Sequence, residues 1–441
     1  MEELKRTYMD LHKEGSMQRR VVVTGLGVLA SNGIGKENFW KACISGRSGI
    51  RRITRFDPSS LVTQIAGEIQ DFDPQKLGLT PEECTGVDRG TQLAIAASNL
   101  AFQDAGLSDG LSEEERDRSG VYMGTAISSM ENGEKLWVQL RSQGVELVSS
   151  EIGSAIPAGL RMINAPATAV AAHHQFHGPS TVIATGCSAG ADAIGQAFWL
   201  IQEGRADRML AGGTDSAITY AVMDVFCVLG AMSTRNEDPE RASRPYDKNR
   251  DGFVMAEGSG VLLLEERELA LARNAHIYAE LIAFSSNCNA HHMTALPKDG
   301  SPLRDLLKQA LQEAGITAGQ LDYINSHGSS TPPNEAAETA AYKAALGEHA
   351  YRIPISATKS MIGHTQGAAS AIEAVVTALT IERQVIHPTV NQENPDPNCD
   401  LDYVPNVARP ATINVALSHS SGFGGVNSAL VLVRPDWLDK Q

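Results

Sequence analysis

The chain has 441 residues, 42% hydrophobic and 20% charged, and its 37 Lys and Arg against 52 Asp and Glu leave a formal charge of −15. That length and balance suit a large buried core and argue against a disordered tail, and the negative charge argues against a nucleic-acid partner. No run approaches the roughly 20 apolar residues of a membrane span, and six cysteines (Cys43, Cys84, Cys187, Cys227, Cys288, Cys399) lie far apart without a CxxC pair. Neither a zinc cage nor a disulfide framework is expected, and a reducing cytoplasm fits.

Residues 1–18 read as a polar N-terminal extension without a signal-peptide core, with Met17 an alternative start. Ordered structure is expected to begin at RRVVVTGLGVLASNG, a β-branched run broken by glycines. Residues 85–106 carry apolar side chains at helical spacing and stop at Gly106, RSGVYMGT reads as a strand, and residues 181–215 read strand, helix, strand. A second series starts near HIYAELIAFSS. It continues through DYINSHGSST, the helix EAAETAAYKAALG, the strand IPISATKS, the helix AASAIEAVVTALTIE and the closing strands INVALSHSS and NSALVLVRP. Alternating strands and helices predict an α/β fold with buried sheets. Two similar halves are expected, at 19–275 and 276–435, packed as one body because no Pro- or Ser-rich linker parts them, with 436–441 a tail. The stretch HPTVNQENPDPNCD is expected to be a surface loop.

Cys187 stands between the apolar run TVIAT and the small residues SAGADAIGQ that open a helix. A thiol at a helix N-terminus feels the positive end of the dipole, which favours thiolate, and small neighbours admit an acyl chain. A free cysteine in such a place is more commonly a small buried hydrophobe. His327 in NSHGSST and His364 in KSMIGHTQGAAS occupy strand-to-loop positions from which an imidazole can hold enolate charge or move a proton, and Lys359 lies five residues before His364. The doublets His173/His174 and His291/His292 have no acidic or Cys partners at ligand spacing, so no metal site is expected. SSGFGGVNS offers backbone N–H groups for an oxyanion hole; neither it nor TGLGVLASNG follows a nucleotide-binding glycine pattern.

Taken together, GCSAG, RPYDKNRDGFVMAEGSG, NSHGSST, KSMIGH and GFGG, in this order, resemble the β-ketoacyl-[acyl carrier protein] synthase family over about residues 19–435. The resemblance implies the thiolase fold: two βαβαβαββ halves in a five-layered α/β/α/β/α body, normally dimeric. It implies that Cys187 takes an acyl group from a carrier-protein thioester, with its own N–H and that of Phe423 cradling the thioester oxygen. His327 and His364 would bind the malonyl thioester oxygen and promote decarboxylation, giving a carbanion that attacks the acyl-cysteine. Lys359 would be the supporting cation and Glu338 the acidic partner in its network, with Ser329 and Thr331 bonding the pantetheine arm. No cofactor is implied beyond the phosphopantetheine of the acyl carrier protein.

Departures refine this reading. Fatty-acid members usually read SFGFGG where this chain reads SSGFGG, so Ser421 replaces a phenylalanine that gates the acyl pocket. Ketosynthase subunits of type II polyketide systems resemble the chain there, and at CNAHHMTAL, AAYKAALGEHA and DPNCDLDYVP. The expectation is the catalytic subunit of such a system, paired with a chain-length-factor subunit, and otherwise a homodimer. The basic stretch that fatty-acid members often carry before the helix near Gln92 reads TPEECTGVDRG, so carrier docking must use another local basic patch. The alternatives are a homodimeric fatty-acid elongation synthase of the synthase II type and a non-catalytic length-setting subunit, which would need none of Cys187, His327, Lys359 and His364. A degradative thiolase would need a second catalytic cysteine, and Cys399 has no glycine-rich setting.

Overall fold

The computed structural model describes residues 18–108, 110–127, 130–134 and 162–441, so all but Gln18 of the expected N-terminal extension lies outside the described residues. Eleven strands form one sheet among the described residues, ten of them in a single path. In the first half they are β1 (Val21–Ala30), β2 (Gly33–Ile34), β3 (Ser119–Gly124), β4 (Ser180–Ile183), β5 (Arg208–Ser216) and β6 (Glu257–Glu266). In the second they are β7 (Ala279–Cys288), β8 (Tyr323–Asn325), β9 (Ile355–Ser356), β10 (Val415–Ser421) and β11 (Val426–Val433).

Setting aside β2, which only pairs with β1, the halves repeat each other. Their orders are β4-β3-β5-β6-β1 and β9-β8-β10-β11-β7, so each runs third, second, fourth, fifth, first. Pairing sense repeats too: β3 is parallel to β4 and β5, as β8 is to β9 and β10, and the remaining pairs are antiparallel. The halves join where Val21–Val23 of β1 runs antiparallel to β7. This is the duplicated architecture that the resemblance implies.

Six helices make the other layers: α1 (Arg89–Asp104), α2 (Ala165–His174), α3 (Ala189–Gln202), α4 (Ser301–Glu313), α5 (Pro332–Leu346) and α6 (Ala369–Arg383). α3 and α6 are apolar around most of their circumference and lie between the two half-sheets, packing Ile194 and Phe198 with Val375 and Leu379 in the central core. Their close approach needs small residues, since a Cβ on Gly190 would stand 2.7 Å from that of Ala371. α1 and α2 cover the outer face of the first half-sheet and α4 and α5 that of the second, which gives five layers. α4 buries Leu303, Leu306, Leu307, Ala310 and Leu311, one stripe of a helix. β1 and β6 are buried along all ten residues between layers, β6 carrying Glu257 and Glu265 inside with arginine partners.

Only the first part of 387–400 departs from the surface loop expected, since most of 391–400 is exposed or half-buried. His387 to Val390 are buried, His387 Nε2 lies 3.2 Å from Ser356 Oγ, and Asp396 accepts a 2.6 Å bond from Arg250. Pro and Asn report that a chain turns, not which side of the turn faces the protein.

Candidate active site

The β4-to-α3 connection turns sharply at Gly186, whose φ of 64° suits glycine, and continues as a 3-10 turn of Gly186–Ser188. The hairpin joining β10 to β11 pins this turn. Ser188 Oγ donates to the carbonyls of Ser420 and Val426 at 3.2 and 2.9 Å, Ser420 Oγ donates to that of Cys187 at 3.1 Å, and a Cβ on Gly422 would stand 3.1 Å from the Cys187 nitrogen. Within the helix that follows, Asp192 accepts bonds from Thr185 (2.5 Å) and Ser428. The Cys187 sulfur is buried at this turn, and the backbone N–H groups of Phe423 and of Cys187 itself favour its ionised form.

Burial pushes the Cys187 thiol up to about 11, against the pull of Lys359 and the two N–H groups. Burial of the sulfur thus acts against the thiolate that a helix N-terminus favours.

His327 follows β8 and His364 precedes α6, and their rings meet edge to face with centroids 5.3 Å apart. His364 Nδ1 accepts the Gln366 N–H at 3.1 Å. A backbone amide can only donate, so the neutral ring carries its proton on Nε2. Lys359 Nζ donates to the His327 carbonyl at 2.7 Å and to Glu373 at 2.5 Å, and lies 3.3 Å from His327 Nδ1, with Ser420 Oγ 3.2 Å from the same nitrogen. An ammonium likewise only donates, which places the His327 proton on Nε2 as well. Burial, and then the charge of Lys359, hold both imidazoles well below the usual histidine range, so both are neutral N–H donors.

All three groups line one cleft of ≈ 360 Å³ with Phe423, Ser421, Ser329 and Thr331. Ser329 and Thr331 hydroxyls are 2.9 Å apart. Ser421 ends β10 with no aromatic ring, while Phe423 is 40% exposed and stacks on Phe226 with centroids 6.4 Å apart. Phe253 sets its ring edge-on to His364 at 5.4 Å.

Of the site residues expected from sequence, Cys187, His327, His364, Ser329, Thr331, Ser421 and Phe423 line the cleft, and Lys359 and Glu338 are buried behind it, with one reassignment. The carboxylate bonded to Lys359 is Glu373, on α6, and burial pushes it up to about 7 while Lys359 pulls it down. Glu338 stands one step away, accepting the Gly328 N–H at 3.1 Å and the Tyr246 hydroxyl at 2.7 Å, so it holds the loop of His327 rather than the cation. The segment RPYDKNRDG also supplies Arg250, buried and 3.0 Å from Glu335, which bonds the carbonyls of Thr331 and Pro332. Glu373 had a signal in the sequence, as a lone acid inside an apolar helix. Its pairing with Lys359 had none, because the fourteen positions between them separate two elements.

His173 lies 2.8 Å from Glu83 and His174 2.9 Å from Ser98, and no group of three or more metal-ligating side chains occurs among the described residues. Cys399 is buried away from the cleft, its thiol pushed up to about 12. Among the described residues no helix is long and apolar enough to cross a membrane.

A buried thiol under two backbone N–H groups, faced by two neutral imidazole donors on a duplicated α/β scaffold, defines a thiolase-fold condensing site. Residues 18–270 match the β-ketoacyl synthase N-terminal domain and 278–393 the C-terminal domain, and the chain belongs to the β-ketoacyl synthase family of acyl-transferring enzymes. It is 44% identical to the tetracenomycin polyketide synthase ketoacyl synthase alpha subunit of Streptomyces glaucescens, over 95% of this chain and 98% of that one. It is also 44% identical to the 3-oxoacyl-[acyl-carrier-protein] synthase 2 of Synechocystis, over 94% and 97%. Among solved structures, a type II polyketide ketosynthase in complex with its acyl-carrier protein superposes with a TM-score of 0.86 at 38% identity, over 95% of this chain and all of that one. The ishigamide ketosynthase/chain length factor superposes at 0.84 and 34%, with the same coverage.

Proposed function

We propose that this ketosynthase is the catalytic subunit of a type II polyketide synthase, joining an acyl group held on Cys187 to a malonyl unit carried by an acyl carrier protein. The carrying observation is the convergence on one cleft of the Cys187 sulfur with its two N–H groups and of the His327 and His364 rings. The acyl thioester oxygen sits between the N–H groups of Cys187 and Phe423 while the sulfur attacks and the carrier thiol leaves. Two Nε2–H donors then hold the malonyl thioester oxygen as carbon dioxide departs, and the resulting carbanion attacks the acyl-cysteine. Lys359 and Glu373 hold His327 in place, and Ser329 and Thr331 bond the pantetheine arm. No cofactor takes part beyond that arm, and the boundary between the halves falls near residue 275.

Overall identity hardly separates polyketide from fatty-acid relatives, since the former reach 46% and the latter 44%. Ser421 favours the polyketide reading, because it lines the cleft where a gating ring is expected. The same reading brings a chain-length-factor partner, in keeping with the solved pairs that the chain resembles. Six free thiols suit a cytoplasmic enzyme. Native mass spectrometry of the chain alone and with a co-expressed chain-length-factor-like neighbour tests the assignment. A stable heterodimer is expected; a homodimer that condenses acyl and malonyl carrier thioesters unaided would place the chain with the fatty-acid synthases instead.

A further inference from the structure

One buried carboxylate near the cleft has no role in the steps above. Asp215, at the end of β5, is 1% exposed and has no ion-pair partner among the described residues. Four donors fill its oxygens: the Thr125 hydroxyl at 2.8 Å and the N–H groups of Ala126 (2.8 Å), Ile127 (3.0 Å) and Gly367 (2.6 Å). Three come from the turn after β3 in the first half. The fourth is in the second half, three residues beyond His364.

The link to His364 is short and stiff. Gln366 holds a left-handed φ of 52°, uncommon for a residue with a side chain, and its N–H is the donor that fixes the His364 Nδ1 as an acceptor. The next N–H belongs to Gly367, bonded to Asp215, and the following one closes the turn onto the Thr365 carbonyl at 3.0 Å. A Cβ on Gly367 would stand 2.5 Å from the Ala126 nitrogen, so the two turns touch backbone to backbone. Ordinary packing does not require a buried, unpaired carboxylate at this contact, and burial raises it to about 6 despite the four bonds. Its charge also opposes ionisation of Cys187.

We infer that Asp215 is a positioning residue for decarboxylation: by anchoring Gly367 to the Thr125–Ile127 turn it holds Gln366 left-handed and so keeps the His364 proton on Nε2, facing the malonyl oxygen. The inference rests on the role given to His364 above. Its prediction differs from that of a residue needed only for folding, because the effect passes through a single imidazole.

The test measures carbon dioxide release from malonyl-pantetheine by the full chain, its Asp215→Asn and His364→Ala variants and the double variant. An amide keeps the carboxylate's shape but offers one acceptor oxygen to four donors. Asp215→Asn is expected to lower kcat about tenfold with KM within about twofold, and to slow the His364→Ala enzyme no further than about twofold, the non-additivity of residues acting as a unit. Iodoacetamide labelling of Cys187 should be undiminished, which verifies the fold. An unchanged kcat in Asp215→Asn, or a full additional loss in the double variant, overturns the inference while leaving His364 its role. An undiminished rate in His364→Ala refutes the role itself, and the inference with it. Should Asp215→Asn not fold, Thr125→Ala removes one side-chain donor and no backbone bond; a kcat about two- to fivefold lower is expected, and an unaltered one counts against the inference.

Discussion

The two halves place different chemistry at the same point of the same scaffold. Each sends its third strand into a helix of the central layer, α3 in one and α6 in the other. Counted from the helix starts at Ala189 and Ala369, Cys187 lies two residues before α3, and the residue two before α6 is Gly367, where a side chain would strike the backbone of Thr125 and Ala126. Four residues into α3 stands Ala193; four into α6 stands Glu373, the partner of Lys359. The first half therefore offers the thiol with its own N–H, and the second offers the N–H of Phe423 and a buried ion pair beside His327. On the function proposed above, the two equivalent positions divide the work, with acyl transfer at the first and decarboxylation beside the second.

Substitutions that act on only one half sharpen this division. The largest effect is expected from Cys187→Ala, which removes the nucleophile: condensation should fall by about 10³-fold or more, in an enzyme that still folds. Persistent condensation, followed by product analysis, would show that the nucleophile lies elsewhere. Next, His327→Ala or His364→Ala should each slow decarboxylation by about 10²–10³-fold, the loss typical of one donor at a developing oxyanion. Acylation of Cys187, followed by mass spectrometry, should survive both changes; its loss would deny the separation of roles.

Glu373→Ala leaves the Lys359 ammonium buried without its carboxylate, and urea unfolding should show a loss of about 3–5 kcal/mol. A change within about 0.5 kcal/mol, the usual scale of surface substitutions, would mean that the pair does not support the second half. The smallest effect is an absence of change. Burial holds His174 at about 3, His387 at about 4 and His419 at about 3, and places His327 and His364 well below the usual range. All five should stay neutral in a proton NMR titration from pH 8 to 5, and a midpoint near 6.5 for His327 or His364 would contradict the neutral-donor geometry.

Much of this was legible beforehand. Continuous apolar runs announced β1, α3 and α6, and the motifs placed Cys187, His327, His364 and Lys359 near one another. Partner choice was not legible: that Lys359 bonds Glu373 rather than Glu338, or that Asp215 reaches Gly367, depends on how the central helices pack. The burial of the Cys187 sulfur was not legible either, because a helix N-terminus can be read from sequence while the cover over the thiol cannot. His387 to Val390 were misplaced for the same reason, since turn-forming residues do not reveal which neighbours cover them.

The most direct test of a divided site is to follow Cys187 through one turnover. The chain, with any partner subunit that co-purifies, is incubated with an acyl carrier-protein thioester and its peptides are weighed, before and after addition of malonyl carrier protein. The acyl mass should appear on the Cys187 peptide, persist in the His364→Ala enzyme, and in the unmodified enzyme leave as carbon dioxide is released and a longer carrier thioester forms. An acyl group found on another residue, or an acyl-Cys187 that malonyl carrier protein fails to discharge, would contradict the account.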